Sequence, residues 1–120
     1  MSSISNASLE RGISYKIEGR YDDAIVEFRD LLIQDPNSCD GHHQLGLVYG
    51  FIGLFDESLE ELKHAVTLSP SRTEVRNDLA LTYSMLGMYE EAKLEFDEVL
   101  RRDPTNKRAL DSLSFFTEPV

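Results

Sequence analysis

Apolar positions along this chain recur with the period of a helix rather than that of a strand. From Tyr21 to Leu32 they fall at Tyr21, Ala24, Ile25, Phe28, Leu31 and Leu32, and from Tyr89 to Leu100 at Tyr89, Ala92, Phe96, Val99 and Leu100. Spacing of i, i+3, i+4 and i+7 predicts amphipathic helices. Each is preceded by another helical segment with a small residue (Gly12, Gly46, Ala80) and, three positions on, a tyrosine (Tyr15, Tyr49, Tyr83). The small residue lets two helices approach closely, and the tyrosine fills the space beside the contact. Gly19, Gly53 and Gly87 follow, where a left-handed backbone closes a helix end without a side-chain clash. Asp35-Pro36, Ser69-Pro70 and Asp103-Pro104 should stop the second helices, because the residue before proline avoids the helical region. Ser71-Arg72-Thr73-Glu74 predicts a capping box at one helix start.

These signals share a period of 34 residues, seen in Pro36, Pro70 and Pro104 and again in the glycines and tyrosines above. Tyr21, Phe55 and Tyr89 keep it, as do Phe28, Leu62 and Phe96, and Ala24, Ser58 and Ala92. Residues 5–38, 39–72 and 73–106 are therefore three copies of one helical hairpin, expected to form a single all-α domain over residues 1–120. Such units bury their apolar faces by stacking, so the ends need covers. Lys107 to Phe116 reads as the first helix of a fourth unit, a capping helix at about 107–116. Leu110 and Leu113 hold the register of earlier first helices, and Phe115 and Phe116 make it an unusually hydrophobic cap.

On these columns nearly the whole chain resembles a tetratricopeptide repeat protein. The resemblance implies a right-handed α-solenoid of three helical hairpins plus the capping helix. It further implies a non-catalytic module that binds a protein or peptide in the groove lined by the first helices. The groove positions it assigns are Leu9, Ile13 and Ile17 in the first unit, His43, Gln44, Leu47 and Phe51 in the second, and Asn77, Asp78, Leu81 and Met85 in the third. Two of these columns are apolar throughout: Ile13, Leu47, Leu81, extended by Phe115, and Ile17, Phe51, Met85. An apolar stripe on an open face is more than monomers ordinarily expose. Its rim carries Glu10, Asp40, Glu74, Asp78 and Asp111, with Lys16 as the main basic residue. The expected ligand is thus an apolar segment, flanked by basic residues. The alternative is a self-assembling oligomeric scaffold using the groove or the Phe115/Phe116 end, and residues of a longer protein would read the same way.

Composition narrows this further. With 22 Asp+Glu against 12 Lys+Arg, the net charge is −10. The surplus is spread over all three units, much of it on second-helix outer faces. Phosphate-backbone binding needs clustered Lys and Arg, so nucleic acid is not an expected partner. Met1 to Glu10 has neither a basic nor an apolar signal region. The uncharged stretch from Leu45 to Phe55 holds eleven residues, against about 20 for a membrane span. A cytoplasmic protein without membrane insertion is expected.

Candidate chemistry is sparse. Cys39, Asp40, His42, His43 and His64 are the nearest thing to a metal set, but no second spaced pair completes a tetrahedron. No nucleophile motif or phosphate loop is present, so no catalysis, metal or cofactor is expected. Asn6-Ala7-Ser8 matches a glycosylation sequon without a secretion signal to give it meaning. One family subclass grips a C-terminal carboxylate with a Lys/Asn/Asn/Lys/Arg clamp, and the matching positions here are Leu9, Ile13, Gln44, Glu74 and Asp78. With no cation among them, the resemblance does not extend to carboxylate capture.

Overall fold

The computed structural model describes residues 3–117 as seven α-helices, with no strand among the described residues. They are α1 (Ser3–Ile17), α2 (Tyr21–Gln34), α3 (Cys39–Phe51), α4 (Phe55–Leu68), α5 (Thr73–Met85), α6 (Tyr89–Arg102) and α7 (Lys107–Thr117). The ends of the expected domain, residues 1–2 and 118–120, lie outside the described residues. Consecutive helices pair as hairpins, and the hairpins stack through α2 on α3, α4 on α5 and α6 on α7. The odd-numbered helices also touch one another, α1 to α3 and α3 to α5, and so share one face of an elongated body of 49 × 27 × 21 Å. The result is the α-solenoid implied by the repeat.

Turn chemistry follows the sequence. Gly19, Gly53 and Gly87 have φ of 78°, 82° and 76°, the left-handed region where a side chain is strained. The next residue's N–H reaches back to a tyrosine carbonyl each time: Arg20 to Tyr15 at 2.8 Å, Leu54 to Tyr49 at 2.8 Å and Met88 to Tyr83 at 2.9 Å. That six-residue closure satisfies a carbonyl the helix end leaves open. At the other end Asp35, Ser69 and Asp103 cap α2, α4 and α6 from non-helical backbone, as their following prolines require.

The expected capping box does not form. Arg72, not Ser71, is the N-cap of α5, and no side chain caps it. Ser71 stands one residue too far out, and the Glu74 carboxylate is taken by the Arg72 guanidinium at 2.9 Å. Side-chain caps occur instead at Ser38, whose hydroxyl accepts from Gly41 N–H at 3.0 Å, and at Asn106, whose amide oxygen accepts from Ala109 N–H at 3.0 Å.

The core forms two clusters. Ala24, Ile25, Phe28, Leu45, Val48 and Tyr49 hold the first hairpin to the second. Leu62, Leu79, Ala80, Tyr83, Ala92, Phe96, Val99 and Ala109 hold the third hairpin to its neighbours, with Leu113 and Phe116 of α7 packed against them. Each large side chain so buried contributes about 1.5–3 kcal/mol. The small-residue column is what admits them: a Cβ at Gly12 would come within 2.4 Å of a Phe28 ring carbon.

Candidate functional site

The odd-numbered helices meet in three successive clefts, related by the 34-residue period, and the clefts open progressively toward α7. Between α1 and α3, Lys16 Nζ donates to Gln44 Oε1 at 2.6 Å and spans the gap. Burial lowers the Lys16 pKa, and the charge of Asp78 partly opposes that shift. Leu9 and Ile13 pack onto the first core cluster, while Ile17 is exposed beside them.

Between α3 and α5 the residue in register with Lys16 is Gly50, so no side chain spans the gap. A cavity of about 240 Å³ results, lined by Leu47, Gly50, Phe51, Leu81, Met85 and, at one edge, Asp78 with Arg108. The Phe51 ring lies 5.8 Å from that of Tyr21. Between α5 and α7 the cavity grows to about 510 Å³. Leu81 and Phe115 stand there where Leu47 and Leu81 stood, and Ser84 and Ser112 replace Gly50 and Asp78. Tyr89, Phe96 and Phe116 complete the lining, the Tyr89 and Phe116 rings 6.0 Å apart. Leu81 is a wall shared by both cavities.

Of the expected groove residues, then, Leu47, Phe51, Asp78, Leu81 and Met85 come together around one cavity. His43 and Asn77 are not open groove contacts. His43 is buried with Nε2 donating to Asp78 at 2.7 Å, and Asn77 is 2% exposed with its amide donating to Asn106 at 3.1 Å. Both sit where the next odd-numbered helix covers them. Gln44 is occupied by Lys16.

The rim is also less acidic than its residues suggest. Arg72 pairs with both Asp40 at 2.7 Å and Glu74 at 2.9 Å, and Lys107 pairs with Asp111 at 2.8 Å. Asp78 accepts from His43 and from Arg108, the latter at 2.5 Å. Burial alone would raise the Asp78 pKa, but those two hydrogen bonds, reinforced by charge, hold it below the usual carboxylate value. Arg108, on the position that holds Asp40 and Glu74 in earlier units, is the groove cation that side-chain type alone did not reveal. Its register was the available signal. Ser84 on α5, Tyr89 on α6 and Ser112 on α7 were likewise missed, and Phe116 was read only as part of an assembling end.

Among the described residues no group of three or more His, Cys, Asp and Glu side chains is placed to hold a metal ion. The Cys39 thiol donates to the Ala65 carbonyl at 3.4 Å. The His42 ring lies between the Glu61 carboxylate and the Pro36 carbonyl, stacked on His64 with centroids 3.9 Å apart. No helix among the described residues is long and apolar enough to cross a membrane.

Comparison with known proteins places this geometry. The sequence profile of the tetratricopeptide repeat matches residues 53–114. No curated protein sequence matches the chain. The structure titled first TPR of Spaghetti (RPAP3) bound to HSP90 peptide SRMEEVD is similar with a TM-score of 0.92 and 25% identity, over 98% of this chain and 93% of that one. The second TPR domain of human RPAP3, in complex with HSP70 peptide SGPTIEEVD, gives 0.89 and 24%, over 97% of each chain. MamA gives 0.87 and 22%, over 92% of this chain and 65% of its own. The last two likenesses speak for the fold.

Proposed function

The chain belongs to the tetratricopeptide repeat family, and on that premise we propose that it is a non-catalytic interaction module in the cytoplasm whose odd-helix face binds an apolar segment of another protein. The observation that carries this reading is the pair of cavities in register across α3, α5 and α7, joined at Leu81 and lined mostly by carbon. The α5–α7 cavity, at about 510 Å³, falls within the roughly 300–1,000 Å³ in which ligands bury most of their surface, and the smaller α3–α5 cavity extends it. A partner with two apolar anchors, the larger one toward α7, fills them in order. Because Asp40, Glu74 and Asp78 are already paired within the chain, flanking basic residues add little, and the anchors set the affinity.

The peptides named with the RPAP3 structures are acidic at their C-termini. Here Leu9, Ile13, Gln44, Glu74 and Asp78 stand at the clamp positions, so a ligand carboxylate would find two carboxylates and no cation at those positions. Selection from a peptide-display library tests the reading. Enriched sequences should carry large apolar residues, SRMEEVD should not bind, and Leu81→Asp should abolish enrichment while keeping helicity. Enrichment of acidic C-termini, or indifference to Leu81→Asp, would sink it.

Self-assembly through the α7 end is the second reading, favoured by Phe115, which is 84% exposed. A net charge of −10 per chain opposes it. Sedimentation across a hundredfold concentration range separates the two, since a constant monomer removes self-assembly.

A further inference from the structure

The turn inside each hairpin is built alike, yet its surface is not. Gly19 and Gly53 have left-handed φ of 78° and 82°, and the N–H of the residue after each reaches a tyrosine carbonyl at 2.8 Å. In the first hairpin that glycine is flanked by Glu18 and Arg20, and in the second by Ile52 and Leu54. Arg20 lies over the Tyr15 ring with its guanidinium carbon 4.5 Å from the centroid, so a charged residue covers the helix end. The backbone therefore does not call for apolar residues at these two positions. Ile52 is nonetheless 39% exposed and Leu54 40%, and both stand outside the two core clusters. In the third hairpin Met88 packs inward, which accounts for it.

Exposed apolar side chains continue on either side of the second turn. Phe51, just before it, lies 5.8 Å from the Tyr21 ring of the first hairpin, and Met85, one repeat on, lines the α3–α5 cavity together with Phe51. Phe51, Ile52, Leu54 and Met85 thus give one edge of the solenoid an apolar strip in the middle of the chain. After each turn come acids: Asp22 and Asp23, Asp56 and Glu57, Glu90 and Glu91. Acids in a first turn suit the helix dipole and by themselves mark nothing. Their lack of partners sets them apart from the groove rim. Arg20 takes Asp23 at 2.8 Å, but among the described residues no Lys, Arg or His pairs with Asp22, Asp56, Glu57, Glu90 or Glu91.

We propose that this turn edge, from Phe51 through Leu54 to Met85, is a second interaction surface, and that it takes an amphipathic helix of another protein with an apolar stripe and basic residues along one flank. The one-sided charge comes from the fold. The acids follow the turns and so border the strip on the second-helix side, while its other side opens into the groove. An apolar strip open to water marks a contact surface, and unpaired carboxylates beside it select the charge of what covers it. An amphipathic helix offers both rows on one rod. The same acids decide against the other occupants. A second copy of this chain brings a net charge of −10 of its own, and an anionic lipid surface is repelled.

The test transplants the first turn into the second. Ile52→Glu with Leu54→Arg reproduces the flanks of Gly19, leaves the net charge unchanged and uses residues this backbone already accepts. A display library of helix-forming peptides is selected on the intact protein with an excess of that variant free in solution, which draws off groove binders. Enriched peptides should carry apolar residues at i, i+3, i+4 and i+7 with Lys or Arg along one flank. A synthesised winner should bind at least about tenfold more weakly to the transplanted variant, and about tenfold more weakly to Asp56→Asn with Glu57→Gln and Glu90→Gln, the second loss shrinking as salt rises. It should bind Leu81→Asp and Phe115→Asp normally, so that failure here is distinct from failure of the groove reading. The proposal is overturned if no peptide is enriched, if winners lack basic residues, if either set of substitutions leaves binding unchanged, or if a folded groove variant abolishes it. Phosphatidylcholine vesicles that hold the intact protein but not the transplanted variant overturn it too, giving the edge to a lipid surface. So does a concentration-dependent dimer that the transplanted turn dissolves, which gives the edge to a second copy.

Discussion

The cleft between α3 and α5 and the cleft between α5 and α7 are the same construction one repeat apart, yet they differ in size by a factor of about two and in kind of lining. The first holds about 240 Å³ and has Asp78 and Arg108 at its edge. The second holds about 510 Å³ and has neither acid, base nor imidazole among its lining residues. The helices and turns repeat, but α5 and α7 touch less than α1 and α3 or α3 and α5 do, which leaves the second cleft wider. Single side chains at equivalent positions decide the lining: Asp78 becomes Ser112, Thr82 becomes Phe116 and Leu81 becomes Phe115. A repeat scaffold thus sets where clefts lie, and individual substitutions set what each will hold.

The largest effect should come from the floor of the wider cleft. Phe96 is 1% exposed, and Phe96→Ala should cost about 3–5 kcal/mol in denaturant unfolding. Leu62→Ala, at the corresponding place in the preceding hairpin, should cost about 2–5 kcal/mol. A loss below 1 kcal/mol for Phe96→Ala would mean that the α7 end is loosely packed and that its cavity is a gap rather than a formed site.

Next in size is ligand affinity. Leu81 borders both clefts, and replacing a central anchor contact costs about 2 kcal/mol or more, near thirtyfold. Leu81→Asp should therefore weaken a display-selected peptide most, with Phe115→Asp next and Leu47→Asp last. Equal losses for Phe115→Asp and Leu47→Asp would erase the distinction between the clefts.

Asp78→Asn acts on the narrower cleft through its charge. Removing the carboxylate leaves His43 and Arg108 short of an ionised acceptor, at about 1–3 kcal/mol. The folded-state pKa of Asp78 is lowered, so its stabilisation is fully present above the unfolded value, about pH 4, and is lost as pH falls through the lowered folded value. The stability gap between the native chain and Asp78→Asn should be full at pH 7 and close below about pH 4. Anchoring in the α5–α7 cleft should not change between pH 5 and 8.

Much of this was legible in the sequence because the 34-residue period fixes backbone and core together. Gly19, Gly53 and Gly87 announced left-handed turns, and Gly12 announced the close approach of Phe28. The groove was read less well because face assignment does not include what the next helix covers. His43 and Asn77 lie on the inner face by register, but they are buried against α5 and α7. Rim charge misled for a related reason: Arg72 is distant in sequence from Asp40, and Arg108 from Asp78, and a tally by residue type does not pair them. Ser71 and Glu74 matched a capping pattern whose geometry failed by one residue.

The smallest expected effect bears on why the series starts closed. Lys16 bridges to Gln44, whereas Gly50 and Ser84 in register with it do not span their clefts. Its ammonium is half-buried, so desolvation offsets much of what the hydrogen bond contributes, as the lowered pKa reflects. Lys16→Ala should then change stability by no more than about 0.5 kcal/mol, helped by the better helix propensity of alanine. What should change is access: Ile13 and Leu47 would border a third cleft, and selected peptides should gain an apolar anchor on the α1 side. A loss above 1.5 kcal/mol, with no new anchor, would make Lys16 a structural tie between the first two hairpins and would end the account of the clefts as one construction tuned by single side chains.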